Sequence, residues 1–387
     1  MWAKSRYLPL AWLQLRYHRG RLMAAIVGVI FADLLMWMQL GFLNALFDSA
    51  LVLPRSLRGD LVVYSPLLKA MQATESFPRR LLQRAKGHPD VEAIRPLYVG
   101  RSQWRSETDG QRWNIAVYGV DPADPALLAP GVKEFSKELR QPDSFLFDEG
   151  SRPEFGPISD QWRSGQSVLA EVNKRTIEIV GLTRIGVSFQ TDGNLITSPT
   201  NFQRLFNQNS PARIDLGVVS VRPGSDIQAV KRDLSTFFGN EMKVATCQEF
   251  VARETDFMRR RTPITFVFTL GTAVGFLVGF AIVYQILFTD VSNNLPQYAT
   301  LKAMGYTNNY LRQVVVQESL ILSAIGYVFG TMLATGLYAL ARWATKLPMT
   351  ITPDRAALIF ALTLSMCLIS GMLAMRKLEQ ADPAEVF

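Results

Sequence analysis

Residues that commonly carry chemistry are few in this 387-residue chain, which contains only two histidines and two cysteines. Neither a Cys/His zinc cluster nor a disulfide framework can be built from so few.

His88 has no accompanying nucleophile motif, so we expect a loop or turn residue there and not a catalytic base. The adjacent carboxylates Asp148 and Glu149 could form an acid–base pair, but solvated surface acids are the more common case. Cys247 and Cys367 fall in segments of different character, so we expect two free thiols, of which Cys247 could pair between chains.

The sequence also lacks the motifs of phosphate and acyl chemistry. It contains no G-x-x-x-x-G-K-[ST] loop, whose backbone amides and lysine cradle phosphates, no G-x-S-x-G elbow and no H-E-x-x-H helix. We therefore predict that the chain is not itself an enzyme and holds no metal or cofactor.

Two carboxylates lie inside strongly apolar segments, Asp33 in the first and Glu318 near the start of the third. Because a charge in lipid is costly, each should face protein or water. Two interpretations remain open: a path for protons or substrate, and a hydrogen bond between helices from a carboxyl group that can be protonated.

Glycines at helical spacing mark a packing surface. Gly271, Gly275 and Gly279 form a doubled G-x-x-x-G, and Gly326 and Gly330 repeat the spacing in a later segment. Such spacing lets another helix approach closely, which indicates a tight interface in a helix bundle or in a dimer. Glycine is also simply common in membrane helices, which is the alternative explanation.

Four apolar segments position these residues. They cover 22–46, 264–288, 314–341 and 356–375, and each can supply the roughly 20 helical residues that cross a bilayer. The first is too long for a signal-peptide core and no small-residue cleavage site follows it. Residues 1–21 suit a short interfacial helix or a basic anchor tail. The predicted fold is therefore an α-helical membrane protein with four transmembrane helices, one before and three after a large insert.

Lysines and arginines in short flanking segments predict the orientation of these spans. The N-terminal tail, the loop 289–313 and the tail 376–387 carry nine, whereas the loop 342–355 carries three. We therefore predict cytoplasmic termini, a periplasmic insert and a location in the bacterial inner membrane. Arg259–Arg261 argue for the opposite orientation, but they belong to the long insert, where the rule has little force. The formal charge of +8, which first suggests nucleic acid, is mainly this orientation signal.

The insert, residues 48–262, has the mixed pattern of an α+β domain. Segments 60–120 and 213–246 each contain a predicted β-α-β run, and we expect them to form one split module. Between them, 121–212 is expected to form a mainly β lobe, with a hairpin at Asn173-Lys174.

The loop between the second and third spans, NNLPQYATLKAMGYTNN, together with the DPAE sequence near the C-terminus, resembles the FtsX/MacB-type family of ABC permeases. In that family the loop holds a short cytoplasmic coupling helix that docks on an ATPase, and the next span opens with a glutamate, here Glu318. Pro296 and Gln297 depart from the family by replacing its usual charged pair. The resemblance implies ATPase coupling through the following residues: Pro296, Gln297, Tyr298, Leu301, Lys302, Met304 and Gly305.

Further motifs, among them FADLLMWMQLGF, SRPEFG, DGNLITS and YATLKAMGY, are similar to the DevC-type exporters of heterocyst glycolipids. That resemblance implies a homodimeric permease and a separate ATPase subunit that binds ATP and Mg²⁺. It also implies a periplasmic membrane-fusion adaptor and a TolC-like outer-membrane channel.

Three functions remain open from the sequence. The first is export of a glycolipid or other amphiphile, with ATPase-driven motion transmitted to the periplasmic domain. The second is FtsX-like signalling, in which the same motion controls a periplasmic enzyme without transport. The third is release of lipoproteins. The size of the insert favours export.

Overall fold

The computed structural model describes residues 19–71, 75–106, 110–188, 190–207, 212–261, 263–294, 296, 300, 304 and 307–379. The predicted N-terminal interfacial helix, most of the predicted coupling loop and the DPAE sequence lie outside these residues. The chain divides into two compact units. A helical unit holds residues 1–44, 263–344 and 349–387, and a sheet unit holds residues 45–262 and 345–348.

Nine α-helices are formed by the described residues, and four of them are long and apolar enough to cross a membrane. In chain order they are α1 (Arg19–Arg55), α2 (Arg79–Ala85), α3 (Ile158–Arg163), α4 (Pro199–Leu205), α5 (Ile227–Phe238), α6 (Cys247–Arg261), α7 (Pro263–Asn293), α8 (Asn308–Thr345) and α9 (Pro353–Glu379). The four apolar helices are α1, α7, α8 and α9. Each is longer than the predicted span because helical hydrogen bonding continues into the polar residues that flank an apolar segment.

Eleven β-strands are formed by the described residues, and nine of them make one sheet. Their bounds are β1 (Leu61–Tyr64), β2 (Phe77–Pro78), β3 (Val91–Arg105), β4 (Arg112–Val120), β5 (Ser144–Asp148), β6 (Val168–Val172), β7 (Arg175–Thr183), β8 (Gly193–Thr197), β9 (Arg213–Ile214), β10 (Leu216–Val221) and β11 (Lys243–Thr246). The order in the sheet is β11-β1-β10-β3-β4-β8-β5-β7-β6, and β2 pairs separately with β9.

Strands from the two predicted β-α-β segments lie side by side as β11-β1-β10-β3-β4. The strands of the segment between them continue the same sheet, from β8 to β6. At the end of β3, Trp104 also pairs with Val172 of β6, so six strands from β3 to β6 close into a ring. The 15-residue strand β3 belongs to both parts of the sheet, because it pairs with β10 and β4 along its length and with β6 at its end.

The core of the sheet unit covers both faces of the central strands. On one face, Val230, Leu234 and Phe238 of the amphipathic helix α5 are buried together with Leu82 of α2. Phe250 of α6 packs in the cluster on the other face. Because both faces are covered, β1 is buried at all four residues and shows no alternation of polar and apolar side chains.

Short-range signals account for several of the turns. Asn173 and Lys174 both have positive φ, at 52° and 62°, and they connect β6 to β7 as the predicted two-residue hairpin. Asp226 caps α5 by accepting a hydrogen bond of 2.9 Å from the backbone N–H of Gln228. Gly239, with φ of 54°, ends the same helix.

Candidate functional site

The helical unit is built around α1, and the glycines of α7 face it. A Cβ added at Gly275 would lie 3.2 Å from Leu35 Cβ. One added at Gly271 would lie 2.6 Å from Gln39 Cδ, and one at Gly279 would overlap Ala32. All three glycines of the doubled G-x-x-x-G therefore permit close contact between α7 and α1 within this chain.

The glycines of α8 face another side of α1. A Cβ added at Gly326 would lie 2.7 Å from Val29 Cβ, and one at Gly330 would lie 2.8 Å from Asp33 Cβ. Both distances are shorter than a normal contact between carbons. The side chains Val29 and Asp33 thus occupy space that only glycine leaves open on α8.

Asp33 lies at the centre of this packing and is fully buried. Its Oδ1 accepts a hydrogen bond from Thr363 Oγ1 of α9, and that hydroxyl also lies 2.9 Å from the carbonyl oxygen of Ile359. Asp33 Oδ2 has no hydrogen-bond partner among the described residues. Asp33 thus joins α1 to α9 beside the glycine surface of α8, and sequence reasoning could not identify Thr363 as its partner.

Glu318 of α8 is also fully buried, and neither carboxylate oxygen is hydrogen-bonded to any described residue. Asp290 of α7 is close enough to interact with it electrostatically. Asn294 Nδ2 approaches Asp290 Oδ2 at 3.4 Å. Glu318 and Asp290 form a second polar site in the helical unit, separated in sequence from the one at Asp33.

A further contact between α1 and α8 was not predicted. The Tyr338 hydroxyl of α8 donates a 2.5 Å hydrogen bond to the carbonyl oxygen of Trp37, and the two rings meet edge to face at 6.1 Å. A Cβ added at Gly41 would overlap the Tyr338 hydroxyl, so this glycine leaves room for the contact. The only signal in the sequence is the placement of these aromatic residues in apolar segments, which does not specify the pair.

Of the predicted ATPase-coupling residues, Pro296 and Met304 are described, whereas Gln297, Tyr298, Leu301, Lys302 and Gly305 lie outside the described part of the chain. Met304 is 63% exposed, and its backbone N–H donates a 3.0 Å hydrogen bond to the carbonyl oxygen of Thr300. Thr300 Oγ1 in turn donates to the carbonyl oxygen of Pro296 at 2.9 Å. Both bonds have i to i−4 spacing, and the first is a backbone bond of the α-helical type.

In the sheet unit, one of the two expected surface acids is buried. Asp148 is fully buried, and its carboxylate accepts hydrogen bonds from the backbone N–H groups of Gly150, Ile185 and Gly186 and from Asn194 Nδ2, at 2.7–2.9 Å. The expectation that it is solvated was wrong because the loops after β5 and β7 turn their amides inward and need an acceptor. Glu149 pairs with Arg163.

The remaining candidates of the sheet unit have structural surroundings. His88 Nδ1 accepts a hydrogen bond from the backbone N–H of Asp90 at 3.2 Å, and Nε2 lies 3.4 Å from Asp233. Cys247 Sγ contacts the carbonyl oxygen of Gly59 at 3.1 Å, and burial raises the pKa of this thiol to about 11. Because the thiolate is the reactive form, Cys247 is a poor nucleophile at neutral pH.

Replacing Thr363 with valine is expected to lower the free energy of unfolding by about 1–2 kcal/mol, since Asp33 would stay buried with neither oxygen bonded. Thermal unfolding of the purified chain in detergent measures the change. Thr363→Ser keeps the hydroxyl and should behave as the wild type.

The matched control is Thr335→Val, because the Thr335 hydroxyl donates only within its own helix, to the carbonyl oxygen of Thr331 at 2.8 Å. A loss of stability no greater in Thr363→Val than in Thr335→Val would show that the bond to Asp33 contributes nothing.

Comparison with known proteins relates the chain to membrane permeases. Residues 269–383 match the model of the FtsX-like permease C-terminal family. The macrolide export ATP-binding/permease protein MacB of Brucella abortus (strain 2308) is 23% identical over 392 residues, a match covering 94% of this chain and 56% of that protein. MacB of Bdellovibrio bacteriovorus is 22% identical over 310 residues, covering 76% of this chain and 47% of that protein. The chain thus spans about half the length of these curated relatives.

Solved structures similar to this chain include the periplasmic region of MacB from Actinobacillus actinomycetemcomitans. It has 10% identity and a TM-score of 0.35, and the match covers 54% of this chain and 95% of that one. A second is the extracellular domain of the ABC-type transporter YknZ from Gram-positive bacteria. It has 11% identity and a TM-score of 0.33, with coverage of 48% of this chain and 98% of that one.

Proposed function

We propose that this chain, which is similar to permeases of the FtsX/MacB type, is the transmembrane subunit of an ABC exporter in the bacterial inner membrane. The four apolar helices cross the membrane, both termini are cytoplasmic and the sheet unit is periplasmic. The distribution of lysine and arginine in the short loops supports this orientation.

The proposal depends mainly on the continuity of one helix between a membrane segment and the sheet unit. Helix α1 is unbroken from Arg19 to Arg55, and its residues from Ala45 onward belong to the sheet unit. Since backbone hydrogen bonds make a helix resist stretching, this continuous helix suits transmission of ATPase-driven motion to the periplasmic domain.

ATP and Mg²⁺ are bound by a separate ATPase subunit in this proposal, and the present chain is not an enzyme. The sequence has no phosphate-binding loop to cradle a nucleotide. The relatives are named ATP-binding/permease proteins, so ATP binding is part of the systems to which this chain is similar. The proposed docking element for that subunit includes Pro296, Thr300 and Met304, which are exposed and are joined by hydrogen bonds of i to i−4 spacing.

The proposed cargo is a glycolipid or other amphiphile, and the proposed partners are a second copy of the chain, a periplasmic membrane-fusion adaptor and a TolC-like outer-membrane channel. The similarity to DevC-type exporters supports this assignment. Export is also the activity given in the names of the MacB relatives.

Replacing Met304 with glutamate is expected to reduce substrate-stimulated ATP hydrolysis by the reconstituted complex about tenfold. An exposed apolar side chain at a docking contact would become a charge, and burial of an unpaired charge costs roughly 1.4 kcal/mol or more. The measurement is ATP turnover by the ATPase subunit together with each permease variant in lipid vesicles.

Met304→Leu is the matched control, because it keeps an apolar side chain of similar volume. Wild-type turnover by Met304→Glu would remove this segment from the coupling interface. Co-purification tests the type of system: an adaptor and an outer-membrane channel support export. A cell-wall hydrolase in their place would indicate FtsX-like signalling, and a lipoprotein carrier would indicate lipoprotein release.

A further inference from the structure

A groove of about 410 Å³ lies between the first turns of α8 and the last turns of α9. Apolar side chains line it, among them Val316 on α8 and Ile369, Met372 and Leu373 on α9. The last three are 40%, 53% and 38% exposed. An open apolar groove on a membrane-crossing surface is a place where an acyl chain can lie.

Two arginines line the same groove, Arg312 on α8 and Arg376 on α9. Since α8 begins at Asn308 and α9 ends at Glu379, both arginines lie near the same end of the two helices. No acidic residue is among those that line the groove in the described part of the chain. The groove therefore joins an apolar channel to two guanidinium groups.

We propose that this groove binds an anionic phospholipid of the surrounding bilayer. The phosphate lies at Arg312 and Arg376, and an acyl chain lies along Val316, Met372 and Leu373. Basic pockets between membrane helices bind acidic lipid headgroups in this way, and guanidinium groups bind phosphate oxygens in a bidentate geometry. The inference requires α8 and α9 to cross a membrane, but it does not depend on ATPase coupling or on export.

A second copy of the chain and the N-terminal residues 1–21 could also occupy the groove, but their positive charge disfavours both. A second copy docked groove to groove about a two-fold axis would place the same arginines against each other. Residues 1–21 carry five lysines and arginines and no acid, so the groove repels them as well.

Retention of lipid by the purified full-length chain tests the proposal. Native mass spectrometry compares phosphatidylglycerol with phosphatidylcholine of the same acyl chains. The wild type is expected to retain phosphatidylglycerol preferentially. Arg376→Gln should weaken that binding about fivefold, as expected for the loss of one basic residue beside an acidic headgroup, and Arg376→Lys should retain most of it.

Arg342→Gln is the matched control, because it removes the same charge from the opposite end of α8. Equal retention of the two lipids by the wild type overturns the proposal. Equal loss of phosphatidylglycerol in Arg376→Gln and Arg342→Gln also overturns it, since binding would then follow net charge and not the groove.

A second measurement identifies the occupant directly. A benzophenone amino acid in place of Met372 is expected to form an ultraviolet-induced adduct with phosphatidylglycerol in vesicles. An adduct with a second copy, with residues 1–18 or with the ATPase subunit, in place of the lipid, overturns the proposal. Failure of the Met304 experiment would leave both lipid measurements unaffected, so the two inferences can fail separately.

Discussion

Replacing Asp148 with alanine is expected to lower the free energy of unfolding of the sheet unit by about 3–5 kcal/mol. The carboxylate is fully buried and accepts hydrogen bonds from three backbone N–H groups and from Asn194 Nδ2. Alanine leaves these donors in place without their acceptor, and each unsatisfied buried donor costs about 1–3 kcal/mol before water enters the cavity. Few single substitutions remove so many hydrogen bonds at once.

Hydrogen exchange of the full chain in detergent locates this effect. The amides of Ile185 and Gly186 should lose protection in Asp148→Ala, and the thermal unfolding transition should move to lower temperature. Asp121→Ala is the matched control, because Asp121 also accepts a backbone hydrogen bond, from Ala123 at 3.0 Å, but in an exposed loop. Unchanged exchange at Ile185 and Gly186 in Asp148→Ala would show that the carboxylate does not hold the two loops together.

Gly330→Ala is expected to destabilise the helical unit by about 1–3 kcal/mol, although it adds a single methyl group. The added Cβ would lie 2.8 Å from Asp33 Cβ and 3.0 Å from Asp33 Oδ2. Neither atom can move far, because Asp33 Cβ is fixed to the backbone of α1 and Oδ1 is bonded to Thr363. Helices α1 and α8 must therefore separate, and this separation also weakens the contact of Gly326 with Val29.

The matched control is Gly336→Ala, on the same helix α8. Gly336 has no atom within 4 Å of an added Cβ, so Gly336→Ala should be neutral or slightly stabilising through the better helix propensity of alanine. Thermal unfolding in detergent compares the two variants in one background. Equal stability of Gly330→Ala and Gly336→Ala would contradict the close approach of α1 and α8.

How much of the structure could be predicted from the sequence depends on how far apart in the chain the interacting residues lie. The spacing of the five glycines in two helices predicts a packing surface from local sequence alone. Its partner, α1, is more than 200 residues away in sequence, and nothing in the glycine spacing selects it. Asp33 was predicted to face protein or water, but a buried carboxylate can bond to any of the many hydroxyl groups in the apolar segments, and the sequence does not single out Thr363.

In the sheet unit, too, local features could be predicted from the sequence and long-range contacts could not. The turn at Asn173-Lys174 follows from residues that tolerate positive φ, and the capping of α5 follows from Asp226. Asp148 was placed on the surface because adjacent acids usually lie there. Its burial depends on amides from a loop some 37 residues later, which pattern reasoning does not reach.

The pairing of β1 also determines when the sheet unit can complete its folding. Strands β3 to β8, which form the closed ring, lie within residues 91–197, so the ring can assemble from a continuous stretch of chain. The apolar strand β1 emerges earlier, but both of its neighbours come last: Val62 lies opposite Val218 of β10 and Ala245 of β11.

During synthesis from the N-terminus, β1 therefore stays unpaired until its first partner strand, about 150 residues later, has been made. An unpaired apolar strand is a point at which a chain associates with other chains. We therefore expect the interval before β10 is made to be the stage at which this strand is most prone to aggregation.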